Sequence, residues 1–305
     1  MDLRQLAALV AVAEEGSFSA AADALHTVQS NVSNHVARLE RELGAQLVDR
    51  QAGALTEEGE AVVARARRIA DELEAVVADV AALRHEVTGN VSIGVIGSTA
   101  RWIVPRLLTL LAARHPKVQL VVYDGTSVTL EPQLAAGRLA LAVVHLPVLG
   151  SDLIGRHLFD EDLVLVVAKD DPLASRGTLS LEDLDGIPLL LPAIGTAYRD
   201  AVQHAANAAG ITLLPRAELD GVRLIASLTF DGYGPAILPA TAVPAFLQAD
   251  WRRVPVRGIP RRQVGVALRR RGMPSAPVRA VLSLLDEIAA ADVGDMAGLH
   301  PPGSP

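Results

Sequence analysis

The stretch TVQSNVSNHVARLERELGAQLVDR, residues 27–50, decides how the N-terminal part of the chain folds. An apolar stripe runs through it at intervals of four, three and four residues: Val32, Val36, Leu39 and Leu43. That spacing predicts one buried face of an amphipathic α-helix. Thr27 is suited to cap the start of this helix, and Gly44 is suited to end it.

The opposite face of this helix is polar and carries Gln29, Ser30, Ser33, Asn34, Arg38 and Arg41. Short amide and hydroxyl side chains hydrogen-bond base edges and phosphates, although a polar exposed face is more often simply solvated.

The residues that precede this helix favour the interpretation that it binds nucleic acid. Residues 3–12 predict a first helix and GSFSAAADALH, residues 16–26, a second, so a tight corner leads into the third. This arrangement is a helix-turn-helix, followed by a small β-wing at 47–56.

Residues 1–60 resemble the N-terminal domain of the LysR-type transcriptional regulators. The resemblance rests on FSAAADALH, on QS-x-VS-x-x-V-x-x-LE-x-x-LG at 29–44, on L-x-x-R at 47–50 and on LT-x-x-G at 55–59. It implies a winged helix-turn-helix head at residues 1–58 that binds a double-stranded DNA operator. The implied DNA contacts are Thr27, Gln29, Ser30, Ser33, Asn34, Arg38 and Arg50.

The head departs from the family pattern in ways that bear on DNA binding. Val48 replaces the usual Phe before the wing, the wing is about two residues short, and Asn34 stands where Arg is frequent. The first 58 residues carry four arginines, no lysine and nine acidic residues, a net charge of −5. This charge disfavours general phosphate attraction, so we expect site-specific binding through individually placed contacts.

A heptad pattern follows the head, with apolar residues at alternating intervals of four and three from Val62 to Val87. The pattern predicts a helix of roughly 30 residues, about 45 Å long, whose seam needs a partner. The partner is either the same helix of a second subunit or the second domain of the same chain. The resemblance implies a dimerising linker helix at 59–88 and an operator of approximate two-fold symmetry. The predicted dimer contacts are Ile69, Leu73, Val76, Val80 and Leu83.

Strands rich in Val, Ile and Leu then alternate with helices, which predicts an α/β domain with parallel sheets buried on both faces. The region 89–292 resembles the two-lobed effector domain of the family, a fold like the type 2 periplasmic binding proteins. We place lobe I at about 89–162 and 266–292 and lobe II at about 163–265. The tail 293–305, rich in Gly and Pro, is predicted to be disordered.

Hydroxyl side chains stand where predicted strands lead into helices, and these positions match the effector contacts of the family. Helix N-termini offer free N–H groups and partial positive charge, which suits an anionic effector. The candidate effector-binding residues are Ser98, Thr99, Thr126, Ser127, His145, Thr196 and Arg199. The alternatives are N-capping for the hydroxyls, a structural role for His145 and a surface charge for Arg199. Short arginine runs, including 261–262 and 269–271, are interpreted as solvated faces or subunit contacts.

The composition limits the classes of function. The chain has 305 residues, a net charge of −7 and no cysteine, which disfavours a polybasic membrane-surface protein and excludes disulfides and thiol-based redox sensing. Motifs of common enzymes and metal sites are missing, so we expect no catalytic residues, no metal and no cofactor. No secretory signal and no run of 18 apolar residues occurs, so we expect a cytoplasmic protein without a membrane partner.

These observations together predict a ligand-responsive transcriptional regulator. Its expected partners are operator DNA, a small-molecule effector, further copies of itself as a dimer or tetramer, and RNA polymerase. The alternative is an enzyme or binding protein with a solute-binding fold and a vestigial DNA-binding head, which only the acidic head favours.

Overall fold

A computed structural model describes residues 1–49, 53–84, 86–243, 250–294 and 296–303, with the backbone only of Ala197. The head consists of α1 (Leu3–Glu15), α2 (Phe18–Ala24), α3 (Gln29–Leu43), β1 (Val48–Asp49) and β2 (Ala54–Leu55). Val32, Val36 and Leu39 are buried as predicted. Leu43, in the last turn of α3, is 43% exposed. The buried stripe therefore ends one step earlier than the spacing predicts.

The corner between α2 and α3 is built by backbone hydrogen bonds. Thr27 N–H donates to the Ala22 carbonyl and His26 N–H to the Asp23 carbonyl, with His26 at φ 50°. This is a Schellman ending, in which a left-handed residue satisfies the last helical carbonyls. The prediction that Thr27 caps α3 is wrong. Val28 occupies the cap position, and the Thr27 hydroxyl instead accepts a bond from the Asn31 side chain at 3.0 Å.

The linker helix α4 spans Glu57–Ala82, 26 residues or about 39 Å. Thr56 caps it by accepting a hydrogen bond from Gly59 N–H at 3.0 Å. The helix is shorter than predicted because Arg84 and Glu86 both donate to the Ala81 carbonyl in a turn. Val87 therefore lies beyond the helical seam.

The remaining chain alternates strands and helices. The elements are β3 (Gly89–Ile96), α5 (Gly97–Arg114), β4 (Val118–Gly125), α6 (Ser127–Ala135), β5 (Leu141–His145), β6 (Leu153–Glu161), β7 (Leu163–Ala168), β8 (Leu179–Ser180), β9 (Pro188–Pro192), α7 (Ala197–Ala208), β10 (Leu214–Leu219), α8 (Val222–Phe230), β11 (Ala236–Pro239), β12 (Trp251–Arg257), β13 (Arg262–Arg269), α9 (Ala276–Asp292) and β14 (Leu299–His300).

Two six-stranded sheets confirm the predicted two-lobed α/β architecture, but the prediction that they are parallel is wrong. Both are mixed, because β13 pairs antiparallel with β5 and β6, and β7 pairs antiparallel with β11 and β12. The sheet of lobe I has the order β14-β6-β13-β5-β3-β4, and that of lobe II has the order β10-β9-β11-β7-β12-β8. Within the described residues the chain crosses between the lobes twice, from β6 to β7 through Asp162 and from β12 to β13 at 258–261. Because β13 pairs with β6 from Arg262 onward and with β5 from Val264 onward, lobe I resumes at 262 rather than at the predicted 266.

The tail is ordered where the structure describes it, so the prediction of disorder across 293–305 is wrong for 296–303. Strand β14 pairs antiparallel with β6, with Leu299 opposite Glu161. Leu299 is buried in the core of lobe I, and Gly303 N–H donates to the Asp160 carboxylate at 3.0 Å. Without β14, this side of β6 would expose unpaired backbone groups. His300 adds a contact to the Asp162 carboxylate at 2.8 Å. Within the described part of the chain, no helix is long and apolar enough to cross a membrane.

Candidate DNA-binding surface and effector site

The outer face of α3 has the geometry of a recognition surface. The exposed predicted contacts on it are Gln29, Ser30, Asn34 and Arg38, while Ser33 and Thr27 are half-buried. No side chain in the described residues caps the N-terminus of α3, so its first N–H groups can donate to phosphate oxygens. The predicted contact Arg50 lies outside the described residues.

Glu40 on the inner side of α3 fixes the start of the wing. One oxygen of its carboxylate accepts the Leu47 N–H at 2.9 Å and the Val48 N–H at 3.3 Å. Charge-assisted bonds of this kind are stronger than neutral ones. The wing and the recognition helix are therefore held in one orientation by a residue of the LE-x-x-LG motif.

The predicted dimer seam is exposed in the single chain. Leu73 is 48% exposed, Val76 62% and Val80 51%, and Ile69 and Leu83 are exposed as well. Another side of α4 contacts the same chain: Asp71 pairs with Arg269 at 2.9 Å, and the Asp79 carboxylate accepts the Ala276 N–H at 2.9 Å. The helix thus uses different residues for its own effector domain and for the heptad seam.

A buried polar cluster joins the two lobes, and part of it was predicted. Ser98 and Thr99, at the start of α5, are 4% and 0% exposed. The Ser98 hydroxyl accepts a bond from Arg262 Nη2 at 3.0 Å, and the same nitrogen donates to the Glu161 carboxylate at 2.8 Å. Glu161 also accepts the N–H of Thr241, from the turn that follows β11, at 2.6 Å.

His145 lies beside this cluster at the end of β5. Burial, with the nearby positive charge of Arg262, holds the pKa of His145 well below its usual value, which favours the neutral imidazole. Its backbone N–H donates to the Ser127 hydroxyl at 2.9 Å. Ser127 therefore contributes by positioning the end of β5.

Three predicted effector residues have hydrogen-bond or ion-pair partners within the chain. Thr126 forms a capping box with Thr129 at the start of α6, and Thr196 caps α7. Arg199 is buried in lobe II, where it pairs with Glu218 at 2.8 Å and donates to the Pro192 carbonyl. For the two threonines, the N-capping alternative describes the observed bonds.

Sequence reasoning missed Arg262, Glu161, Thr241 and Tyr198. The interpretation of 261–262 as a solvated or subunit-contact run is wrong for Arg262, which is buried and lies with its Cζ atom 5.9 Å from the centre of the Tyr198 ring. The sequence offered one indication: Arg262 begins an apolar strand. An arginine that is buried in such a strand needs a charged partner.

A separate cavity of about 450 Å³ lies between α4 and lobe I. It is lined by Asp71 and Glu72 on one side and by Arg269 and Arg270 on the other. Since Asp71 and Arg269 already pair with each other, we assign this cavity to the contact between linker and effector domain. Among the described residues, no group of acidic or histidine side chains could hold a metal ion.

Comparison with known proteins agrees with this geometry. The family of bacterial regulatory helix-turn-helix proteins of the lysR type matches residues 3–60, and the LysR substrate binding domain matches residues 84–290. The DNA-binding transcriptional dual regulator OxyR of Escherichia coli K12 is 29% identical over 292 residues, 94% of each chain. A probable hydrogen peroxide-inducible genes activator of Streptomyces viridosporus is 31% identical over 293 residues, 93% of each chain.

Solved structures share the fold over nearly the whole chain. A full-length OxyR variant from Pseudomonas aeruginosa superposes with a TM-score of 0.75 at 24% identity, covering 95% of this chain and 94% of the other. Full-length CbnR in complex with its target DNA gives a TM-score of 0.66 at 25% identity, covering 95% and 99%. The protein belongs to the LysR family of transcriptional regulators, which bind DNA through the helix-turn-helix head and carry an effector-binding domain.

Proposed function

We propose that the chain is a ligand-responsive regulator that binds a partly palindromic operator as a dimer, or as a pair of dimers, and acts in the cytoplasm without enzymatic activity. The exposed polar face of α3 carries the proposal, because it joins an uncapped helix N-terminus to amide and hydroxyl groups that can contact base edges. The exposed apolar seam of α4 supports the pairing of two heads. Such a pair is suited to recruiting RNA polymerase beside the operator.

The effector of this regulator is a small molecule, anionic in character, that binds between the lobes. Support comes from the buried Ser98 and Thr99 and the half-buried His145, which lie near the ends of lobe I where the two crossovers join it. A ligand that binds one lobe arrangement better shifts the equilibrium toward it by its differential affinity. The shift changes the relative placement of the two heads on DNA.

The relatives named for hydrogen peroxide induction suggest an oxidant as an alternative signal. A chain without cysteine has no thiol to oxidise, so a peroxide response would need different chemistry. We therefore favour reversible binding of an effector over thiol oxidation.

A mobility-shift assay on the DNA upstream of the protein's own gene tests the DNA-binding proposal. Gln29→Ala should weaken specific binding by about 1–3 kcal/mol, and binding to random DNA much less. The exposed Gln119 of β4 provides the control, since Gln119→Ala should leave both unchanged. Equal losses on specific and random DNA would contradict a base-reading role for Gln29.

The alternative, a solute-binding-fold protein with a vestigial head, predicts no specific shift with any upstream fragment. The same assay therefore separates the two functions. Only the net charge of −5 over residues 1–58 favours this alternative.

A further inference from the structure

Asp162 connects several parts of the joint between the lobes. It is the single residue between β6 and β7, so one of the crossovers runs through it. Its carbonyl accepts the N–H of Ala240, in the turn that follows β11 of lobe II, at 3.1 Å. Its carboxylate accepts a bond from Nε of Arg261, in the other crossover, at 3.0 Å. Asp162 therefore joins both crossovers to a turn of lobe II.

The C-terminal tail, of which the structure describes residues 293–294 and 296–303, binds the same aspartate. Asp162 N–H donates to the Gly298 carbonyl at 2.8 Å, and the Asp162 carboxylate binds Nε2 of His300 at 2.8 Å. The pairing of β14 with β6 brings the tail to this place, because it carries the tail past the last residue of β6. The tail thus holds both the backbone and the side chain of the crossover residue.

The tail also contacts lobe II directly. A Cβ atom built on Gly298 would lie 2.7 Å from the Cβ atom of Ala240. Side chains do not approach so closely, so a glycine is needed for the tail backbone to pass against this turn. Gly298 has a φ of 90°, a conformation that glycine adopts readily. The tail therefore touches lobe II through Gly298, while its strand β14 belongs to lobe I.

The tail is anchored in lobe I on both sides of Gly298. At the end of α9, the Asp292 carboxylate accepts a bond from Trp102 Nε1 of α5 at 2.6 Å, and the Asp292 carbonyl accepts the Met296 N–H at 2.9 Å. After Gly298, the side chain of Leu299 is buried in the core of lobe I. The match to the LysR substrate binding domain ends at residue 290. The tail and its contacts are therefore an addition to the matched domain.

The crossover residue is also the place where a movement of the lobes would occur. Lobes that are joined by short connections rearrange through dihedral changes in the few residues that connect them. Asp162 is the only residue of its crossover. Its backbone cannot rotate freely while Gly298 holds its N–H and Ala240 holds its carbonyl group. The tail therefore restrains the residue that would have to rotate.

We propose that the tail is a strap that restrains rotation at Asp162 and so resists rearrangement of the lobes. Release of the strap leaves Asp162 its contacts to Arg261 and Ala240 but frees its N–H, so the joint opens more often. A ligand that favours another lobe arrangement then needs less differential affinity to reach it. The inference goes beyond the proposed function, because it requires neither a particular effector nor DNA.

Hydrogen exchange in the full-length protein and in a chain that ends at Gly294 tests the strap. Asp162 N–H loses its acceptor in the shortened chain and exchanges faster in any case. The informative amides are those of Ala240 and Thr241, which donate to the Asp162 carbonyl and to the Glu161 carboxylate. More frequent opening of the joint should raise the exchange rates of these two amides by about tenfold or more.

The amide of Leu190 provides the internal reference. It donates to the Pro235 carbonyl within lobe II at 2.9 Å. A general loss of stability would raise its exchange rate as well, so the rates of Ala240 and Thr241 are measured relative to that of Leu190. Faster exchange at Asp162 alone, with both of these ratios unchanged, would show that the tail only covers the edge of β6 and would overturn the strap.

Two glycines of the tail provide a matched pair of point variants. Gly294 and Gly298 have φ values of 99° and 90°, so alanine introduces similar backbone strain at both. A Cβ atom at Gly294 meets no atom within 4 Å, whereas one at Gly298 meets Ala240. Gly298→Ala should therefore dislodge the tail and raise the exchange rate of Thr241 several-fold, and Gly294→Ala should leave it close to the wild-type rate.

Thr241 is the amide to measure in these variants, because the methyl group added at Gly298 presses on Ala240 itself. Equal exchange rates of Thr241 in Gly294→Ala and Gly298→Ala would overturn the strap, even if the shortened chain does not fold.

Mobility shifts keep this inference apart from the proposed function. A full-length protein that gives no specific shift but shows the expected exchange pattern would lose the regulatory function and keep the strap. A protein that binds its upstream DNA, with the same Thr241 exchange rate in both glycine variants, would lose the strap alone.

Discussion

Gly59 shows how closely the head packs on the linker helix. A Cβ atom built at this position would lie 2.0 Å from the Leu47 carbonyl oxygen. The carbonyl belongs to backbone that Thr56 N–H also binds, at 3.0 Å, so it cannot move away easily. Glycine in a helix normally costs stability relative to alanine, but here the close approach outweighs that preference.

Gly59→Ala should lower the free energy of unfolding by about 1–3 kcal/mol because of this steric overlap. The measurement is the urea concentration at the midpoint of unfolding of the N-terminal head. Gly177→Ala provides the control, since its added Cβ meets no atom within 4 Å. Equal midpoints for Gly59→Ala and the wild type would contradict the close contact.

His145 makes stability depend on pH in a defined direction. Burial lowers its pKa in the folded state below the ordinary value of 6.5. Below about pH 6.5 the unfolded chain therefore binds a proton that the native protein does not, and stability falls by up to about 1.4 kcal/mol per pH unit. This loss continues until the pH reaches the folded-state pKa.

His145→Gln should remove that slope. Unfolding free energies of wild type and variant are measured between pH 7.5 and roughly pH 5. Their difference isolates His145, because the other titrating groups are shared. A difference that stays constant over this range would show that His145 is not held neutral.

At the scale of elements, α4 combines two contacts on one helix. Its polar residues Asp71 and Asp79 bind lobe I and the start of α9 of the same chain, while the seam around Leu73 and Val80 stays exposed. The second domain of the same chain therefore contacts α4 through these polar residues and does not cover the heptad seam. That the exposed seam pairs with the same helix of a second subunit stays a prediction.

Leu73→Asp should yield a monomer in sedimentation velocity, because dimerisation would bury an unpaired carboxylate. Val77, on the same helix but off the predicted seam, is 71% exposed. Val77→Asp should therefore remain dimeric. A stable dimer of Leu73→Asp would rule out this seam.

Strand β14 contributes to lobe I through one apolar side chain. Leu299 is 3% exposed, so Leu299→Ala should lower the stability of the effector domain by about 2–3 kcal/mol. Met273→Ala provides the control because Met273 is 79% exposed. Thermal unfolding measures both variants, and an unchanged melting temperature for Leu299→Ala would show that the tail does not hold to β6.

At the scale of the whole molecule, the sequence patterns predicted those helices and strands that form through interactions between residues close in the chain. The α3 stripe through Val36 and the run of Val and Ile in β3 identify their elements, since period and burial coincide there. The partnership of Arg262 with Glu161 joins residues 101 positions apart. No periodicity encodes such a contact, and for that reason the centre of the candidate effector site escaped prediction.

The tail and Arg199 show the same limit. Gly and Pro around Leu299 hide a strand of two residues, because its stability comes from the β6 edge and not from its own propensity. The alternative that Arg199 is a surface charge is wrong, because Arg199 is buried and pairs with Glu218 of β10. Both features depend on tertiary contacts that the local sequence does not specify.

Footprinting of the protein on the DNA upstream of its own gene tests the central claim most directly. If two helix-turn-helix heads bind as a pair, we expect two protected half-sites of related, inverted sequence. Their centres should be separated by about one helical turn of DNA or a multiple of it. Gln29→Ala should weaken protection of both half-sites together. Uniform protection of any DNA, or a single unpaired half-site, would contradict a dimeric, sequence-reading regulator.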